Sequence, residues 1–106
     1  MKVKPSKRPK KRYIVFETVP NKLNEMSVHN AITKSAMNVL GNKYGEAGIR
    51  FLKDKYRSSI NRGIIRVNNK YAKIIVEAIN KNNDFKTIGI SGILKKAEDR
   101  YMKIAL

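Results

Sequence analysis

The alternation of side chains in residues 62–67 most constrains how this 106-residue chain can fold. One face of the segment carries small or apolar residues: Gly63, Ile65 and Val67. The opposite face is mostly basic: Arg62, Ile64 and Arg66. Because side chains alternate between the two faces of a strand, this pattern predicts an antiparallel strand with one packed face and one polar face.

Other segments supply partners for this strand. Strand character, with β-branched and aromatic residues bounded by turn residues, predicts four strands at residues 13–19, 49–56, 60–67 and 85–90. The middle two form a hairpin through residues 57–59. Apolar residues at helical spacing predict a helix from a Ser27 cap to Leu40, one from an Asn68 or Asn69 cap to Asn80, and one from Gly92 onward.

The order strand, helix, strand, strand, helix, strand predicts a ferredoxin-like α+β fold. In this βαββαβ plan, two helices pack on one face of a four-stranded antiparallel sheet, and a C-terminal helix is added here. The second face is open unless that terminal helix or a partner covers it. We expect one domain, residues 13–106, after a basic extended tail at residues 1–12.

The charge balance indicates the class of partner. Twenty-four Lys and Arg against eight Asp and Glu give a net charge of +16. A domain this basic usually binds a polyanion, and nucleic acid comes before an acidic membrane or protein surface. The chain has no cysteine, which fits a cytoplasmic protein. No apolar run is long enough to span a membrane, and the N-terminus does not have the pattern of a signal peptide.

The N-terminal tail is predicted to lie along a phosphate backbone. Pro5 and Pro9 disfavour a helix, so the tail should be extended, and it contains seven basic residues and no acid. A solubilising tail is the alternative, and a polybasic membrane tether is a weaker one because no second membrane signal accompanies it. The predicted RNA-binding residues of the tail are Lys7, Arg8, Lys10, Lys11 and Arg12.

Residues 89–101 are the second candidate for phosphate binding. Ser91 is a good helix N-cap, and Gly92 allows a ligand to approach the backbone closely. Lys95 and Lys96 follow in the first turn, beside the free N–H groups of a helix N-terminus. The alternative is an ordinary strand-to-helix junction with two solvated lysines.

The sequence is poor in residues for catalysis or metal binding. His29 is the single histidine, and we expect it at the surface; no cysteine or second histidine exists to share a metal with it. The acids are scattered, whereas a two-metal nuclease needs them clustered. The strands also lack the aromatic pairs with which RRM domains stack bases. Electrostatic RNA binding is therefore predicted, with Arg62 and Arg66 contributing from the third strand.

Three motifs stand out along the chain: Arg12-Tyr-Ile-Val-Phe-Glu17, Gly63-Ile-Ile-Arg-Val67 and Ser91-Gly-Ile-Leu-Lys-Lys-Ala97. Together they resemble the archaeal ribonuclease P protein component 2. Their order and spacing match the family across about residues 11–101. The family usually carries threonine where this chain has Ile93.

The resemblance implies a function beyond what the residues alone indicate. Members of the family are ferredoxin-like subunits of a ribonucleoprotein that removes the 5′ leader from precursor tRNA. The RNA subunit holds the catalytic magnesium ions, so the protein would bind no cofactor and have no catalytic residue. Its partners would be the catalytic RNA, precursor tRNA through the complex, protein component 3, other protein subunits and a second copy of itself.

Two alternatives to the resemblance remain. A basic ribosomal or RNA-chaperone protein would show the same charge and the same kind of small fold. A protein-interaction module would present an open sheet face around Ile64 and Tyr13 to a partner, with its charge serving solubility.

Overall fold

The computed structural model describes residues 10–19, 24–57 and 59–102. The four strands are β1 (Lys11–Thr18), β2 (Arg50–Phe51), β3 (Arg62–Asn68) and β4 (Phe85–Ser91). The four helices are α1 (Glu25–Leu40), α2 (Tyr44–Ala47), α3 (Asn69–Lys81) and α4 (Leu94–Ala97). Short 3₁₀ turns occupy Gly41–Lys43 and Lys53–Lys55, and a π-helical turn, Glu98–Met102, continues α4. We call residues 94–102 the terminal segment.

The four strands form one antiparallel sheet in the order β2-β3-β1-β4. β1 and β3 occupy the centre, and the register pairs Ile14 with Ile65 and Val15 with Ile64. This arrangement is consistent with the ferredoxin-like βαββαβ plan, so the predicted fold class is confirmed.

The first face of the sheet packs against α1 and α3. Ile14 and Phe16 of β1 are fully buried there, beside Ile65 and Val67 of β3, as the period-2 pattern predicts. The helices contribute mainly aliphatic side chains: Val28, Ile32, Ala36, Leu40, Ala72, Ile75 and Ile79. Val39 of α1 and Ile74 of α3 are apolar but about two-fifths exposed, because they lie at the margins of the buried helix faces.

The second face of the sheet is covered by the terminal segment. Val15 and Ile64 are fully buried beneath Ala97 and Met102. Of the two outcomes that the sequence left open for this face, the structure shows the one in which the C-terminal helical residues cover it, and Ile64 is buried. The protein-interaction hypothesis loses the surface on which it depended.

A glycine on β4 allows this covering to be close. A Cβ atom on Gly89 would lie 2.1 Å from the ring of Tyr101, far inside van der Waals contact. The ring therefore fills the space that any other residue at position 89 would need. The backbone of the terminal segment is held as well, because Arg62 Nη1 donates a hydrogen bond of 2.9 Å to the carbonyl of Tyr101.

The start and end of α1 follow simple capping rules. Asn24 is the N-cap, and its side chain accepts a 2.8 Å hydrogen bond from the N–H of Ser27, so the predicted Ser27 cap is wrong. The helix ends at Leu40, as predicted, and Gly41 follows as the C-cap at φ +54°. Within the described ranges, no helix combines the length and the apolarity needed to cross a bilayer.

The edge strand β2 is much shorter than the predicted strand at residues 49–56. Leu52 keeps one ladder hydrogen bond, from its N–H to the carbonyl of Ile64, and the chain then turns into the 3₁₀ segment. The hairpin closes through a bridge between Arg57 and Arg62, with Asn61 at φ +56°. Strand pairing with β3 resumes only at this bridge, because the 3₁₀ turn interrupts the extended backbone between β2 and Arg57.

Candidate nucleic-acid interface

A basic cavity lies at the end of the sheet where β1 begins and β4 ends. The antiparallel register brings these two chain segments together, since Tyr13 is paired with Ser91. The cavity has a volume of about 420 Å³, and its lining includes four cationic side chains and no carboxylate. The lining residues are Lys10, Lys11, Arg12, Ser91, Gly92, Ile93 and Lys96. Six of the predicted RNA-binding residues therefore meet in one place.

Arg12 is held over the strand-to-helix junction. Its Nε donates a 2.7 Å hydrogen bond to Oδ1 of Asn69, the first residue of α3. A Cβ atom on Gly92 would come within 2.7 Å of its Nη1. The space above Gly92, which the sequence assigned to a ligand, is thus occupied by the guanidinium of Arg12.

Lys11 is positioned in the same way. Its Nζ donates a hydrogen bond to Oδ1 of Asn68, and the amide nitrogen of Asn68 donates to the carbonyl of Glu46. Both Lys11 and Arg12 are therefore fixed by neutral amides, and their positive charges are not neutralised by these contacts. The sequence predicts Asn68 and Asn69 only as alternative helix caps. The register places Asn68 opposite Lys11 and the end of β3 beside the start of β1, and only this placement shows that the two amides can bind Lys11 and Arg12.

The predicted N-cap at Ser91 is wrong. Ser91 is the last residue of β4, α4 begins at Leu94, and the N-cap position belongs to Ile93, which makes no side-chain cap. The hydroxyl of Ser91 instead accepts a 3.1 Å hydrogen bond from the N–H of Ile93, closing a local turn. Because α4 has only four residues, a helix dipole contributes little here, and the positive potential comes from side chains.

The two lysines of the predicted cradle separate. Lys96 lines the cavity, whereas Lys95 is exposed and is not part of the lining. Neighbours on a helix point about 100° apart, so only one of them can face the cavity. Lys7 and Arg8 lie outside the described residues.

The part of the chain that forms the sheet and the terminal segment also matches a known protein family. Residues 12–102 match the Rpp14/Pop5 family. The chain belongs to this family. Members of the Rpp14/Pop5 family are ribonuclease P protein subunits, so the chain is a protein subunit of the enzyme complex that processes tRNA. No match was found among curated proteins.

The Rpp14/Pop5 match covers the whole described sheet apart from its first residue, together with the terminal segment. Arg12, Ser91 and Lys96 of the basic cavity fall inside it, whereas Lys10 and Lys11 precede it. The lining therefore combines residues of the family domain with the last residues of the basic N-terminal stretch.

The two predicted arginines of β3 have different surroundings. Arg62 donates from Nε to Oε2 of Glu17 at 3.0 Å, in addition to its contact with the carbonyl of Tyr101. Burial alone raises the pKa of Glu17, but the hydrogen bond and charge of Arg62, helped by Lys86, hold it below 4.5. Arg66 is half-buried, and its Nε has no hydrogen-bond partner.

In the described part of the chain, no three His, Asp or Glu residues are grouped so that they could hold a metal ion. His29, which we expected at the surface, is half-buried, and its ring stacks on Phe51 at a centroid distance of 4.9 Å. The Tyr71 hydroxyl donates to Glu46 at 2.7 Å, which raises the pKa of this tyrosine.

Proposed function

We propose that this ribonuclease P subunit binds the catalytic RNA through the basic cavity and supports its fold. The observation that carries the proposal is a cavity with four cations and no acid in its lining, at one end of a family domain. Cations clustered without acids favour a phosphate backbone, and such contacts position an RNA without reading its bases.

The covered second face favours the same mode of binding. RRM domains stack bases on aromatic side chains of an open sheet face. Here the terminal segment occupies the middle of that face, over Val15 and Ile64. RNA therefore binds at the sheet end, through its phosphates and its shape.

Catalysis is assigned to the RNA subunit. The protein would contribute cations that reduce repulsion between phosphates, and magnesium ions on the RNA would perform the cleavage. The residues proposed to contact RNA are those predicted from the sequence, with the cavity lining at the centre: Lys7, Arg8, Lys10, Lys11, Arg12, Arg62, Arg66, Ser91, Gly92, Lys95 and Lys96. Arg62 contributes least, since Glu17 already neutralises it.

The proposed assembly is the one that the sequence resemblance implies. In it, the chain joins ribonuclease P protein component 3 and other protein subunits, self-associates, and meets precursor tRNA through the complex. An archaeal origin and a cytoplasmic location belong to the same proposal.

Reconstitution tests this function directly. Candidate ribonuclease P RNA is combined with the partner subunits, with and without this chain, and precursor-tRNA cleavage is scored across a magnesium titration. We expect the chain to lower the magnesium requirement. Equal cleavage with and without the chain, together with binding to ribosomal RNA instead, would replace the proposal with the ribosomal or RNA-chaperone alternative.

A double variant, Lys10→Ala with Lys96→Ala, tests the cavity itself. Neither side chain makes a described intramolecular hydrogen bond, so the fold should be retained. Loss of two phosphate contacts should weaken RNA binding roughly tenfold to a hundredfold and lower the salt slope by about 1.4–1.8. The matched control is Lys34→Ala with Lys73→Ala, two exposed lysines of the helical layer, which should leave both quantities unchanged.

A further inference from the structure

Arg50 and Arg66 lie side by side on the second face of the sheet. The β2–β3 register pairs them directly. Residues opposite each other in an antiparallel pair point to the same face, with Cα atoms about 4.5–5.5 Å apart. Two like charges in this position repel each other and destabilise the pair, and an anion bound between them would remove this repulsion.

That anion is not supplied by the part of the chain that the structure describes. The ion pairs found there join Lys55 to Glu98 and connect Arg62 and Lys86 with Glu17, and none involves Arg50 or Arg66. The Nε of Arg66 is buried without an acceptor. A buried donor without a partner is costly, and a bound water, ion or ligand nearby is the usual way in which such a group is satisfied in a native protein.

The arginine pair continues into the basic cavity. On the other side of Arg66 the register places Tyr13 of β1, and beyond Tyr13 it places Ser91 of β4. We call Arg50, Arg66, Tyr13 and Ser91 the arginine row. It crosses three strand-to-strand steps, roughly 14 Å, and ends at a residue that lines the cavity.

We propose that Arg50 and Arg66 together bind a backbone phosphate of RNA, extending the interface from the basic cavity to the edge strand β2. This inference rests on the proposed function, and it adds Arg50, which sequence reasoning did not include. A guanidinium is a planar fork that binds phosphate oxygens in pairs. One phosphate between the two side chains removes their repulsion and accepts hydrogen bonds from both guanidinium groups.

The pair can be observed by following the Nε–H resonance of Arg66 during titration with inorganic phosphate and then with an RNA hairpin. Both additions should shift the resonance in the intact protein, and Arg50→Gln should reduce the shift produced by phosphate. An Arg66 resonance that stays still with both probes would overturn the inference.

Binding to ribonuclease P RNA gives the second test. Arg50→Gln should weaken binding roughly tenfold and lower the salt slope by about 0.7–0.9, since one phosphate contact is lost. Arg50→Lys keeps the charge and loses the fork, so the slope should hold while affinity falls about threefold. Lys73→Gln, an exposed lysine of α3, is the control with the same charge change.

The outcomes separate this inference from the proposed function. If Arg50→Gln binds RNA as well as Lys73→Gln does, while the Lys10 and Lys96 double variant is weak, the inference is wrong and the function stands. If the unaltered protein does not bind RNA, the proposed function fails. If Arg50→Gln loses binding to a protein subunit and not to RNA, the pair binds a carboxylate and the inference is overturned.

Discussion

Both ends of the sheet carry basic side chains, and the two ends use them differently. At one end, Glu17 of β1 lies between Arg62 of β3 and Lys86 of β4, and it pairs with both. At the other end, Lys11 and Arg12 are held by the amides of Asn68 and Asn69. The carboxylate of Glu17 forms ion pairs with cations on two neighbouring strands and neutralises them. The amides of Asn68 and Asn69 hold a cation in place and leave its positive charge available to an anion.

The apolar centre between the two ends is the most sensitive part of the sheet. Gly89→Ala should lower the free energy of unfolding by about 2–3 kcal/mol, because the new methyl group overlaps the ring of Tyr101 and forces the terminal segment away. Denaturant unfolding measures the change. Gly45→Ala is the control: its methyl group meets nothing within 4 Å, so stability should stay equal or rise by up to about 1 kcal/mol.

A negative charge placed beside Arg12 should neutralise this arginine, as Glu17 neutralises Arg62 and Lys86 at the other end. In Asn69→Asp, Arg12 gains a carboxylate partner at the position of the present hydrogen bond. RNA affinity should fall roughly tenfold and the salt slope should drop by about 0.7–0.9. Stability should not fall, since an acid in the first turn of α3 is favourable there. Unchanged RNA affinity would show that Arg12 does not meet RNA.

The reverse exchange should have a smaller effect. Glu17→Gln removes the ion pairs with Arg62 and Lys86, so the free energy of unfolding should fall by about 0.5–1 kcal/mol, as for partly exposed ion pairs. RNA binding should stay equal or tighten by less than about threefold, because Arg62 and Lys86 regain free charge. Weaker RNA binding in a folded Glu17→Gln protein would contradict the division between the two ends.

The pH dependence of the same pair gives the smallest expected effect. Because Arg62 and Lys86 hold the pKa of Glu17 below 4.5, its contribution to stability is complete above about pH 4.5. The contribution disappears as the pH falls through the lowered pKa of the folded protein. The stability difference between the unaltered protein and Glu17→Gln should therefore be constant from pH 6 to 8 and shrink below pH 4.5. A difference that keeps its size after Glu17 has become protonated would show that it does not arise from the charge of Glu17.

The fold was largely predictable because its signals are local. The period-2 alternation of β3 identified the face that packs on α1 and α3, and that face is buried as predicted. The covering of the second face was not predictable from periodicity. The covering depends on the absence of a side chain at Gly89. A glycine near the end of a strand does not indicate, from the sequence alone, which residue packs against it. The length of β2 was not predictable either, because a run of residues that favour strands does not show how far an edge strand stays paired with its neighbour.

The candidate site divides in the same way. The sequence identified Lys10, Arg12 and Lys96 as candidate RNA-binding residues in two separate stretches, and only the structure brings them into one cavity. The supporting contacts could not be derived, because they join residues 57 positions apart in the sequence. Arg50 went unnoticed for a related reason, since only the strand register places it opposite Arg66.

The amides of Asn68 and Asn69 also affect the entropy of binding. A free lysine or arginine side chain loses about 2 kcal/mol of rotamer freedom when a ligand fixes it. In this protein the fold has already restricted Lys11 and Arg12 before any RNA arrives. When a phosphate binds these two side chains, little further side-chain entropy is lost. Each of the two charges should therefore add more affinity than an equally charged side chain that is free to move before binding.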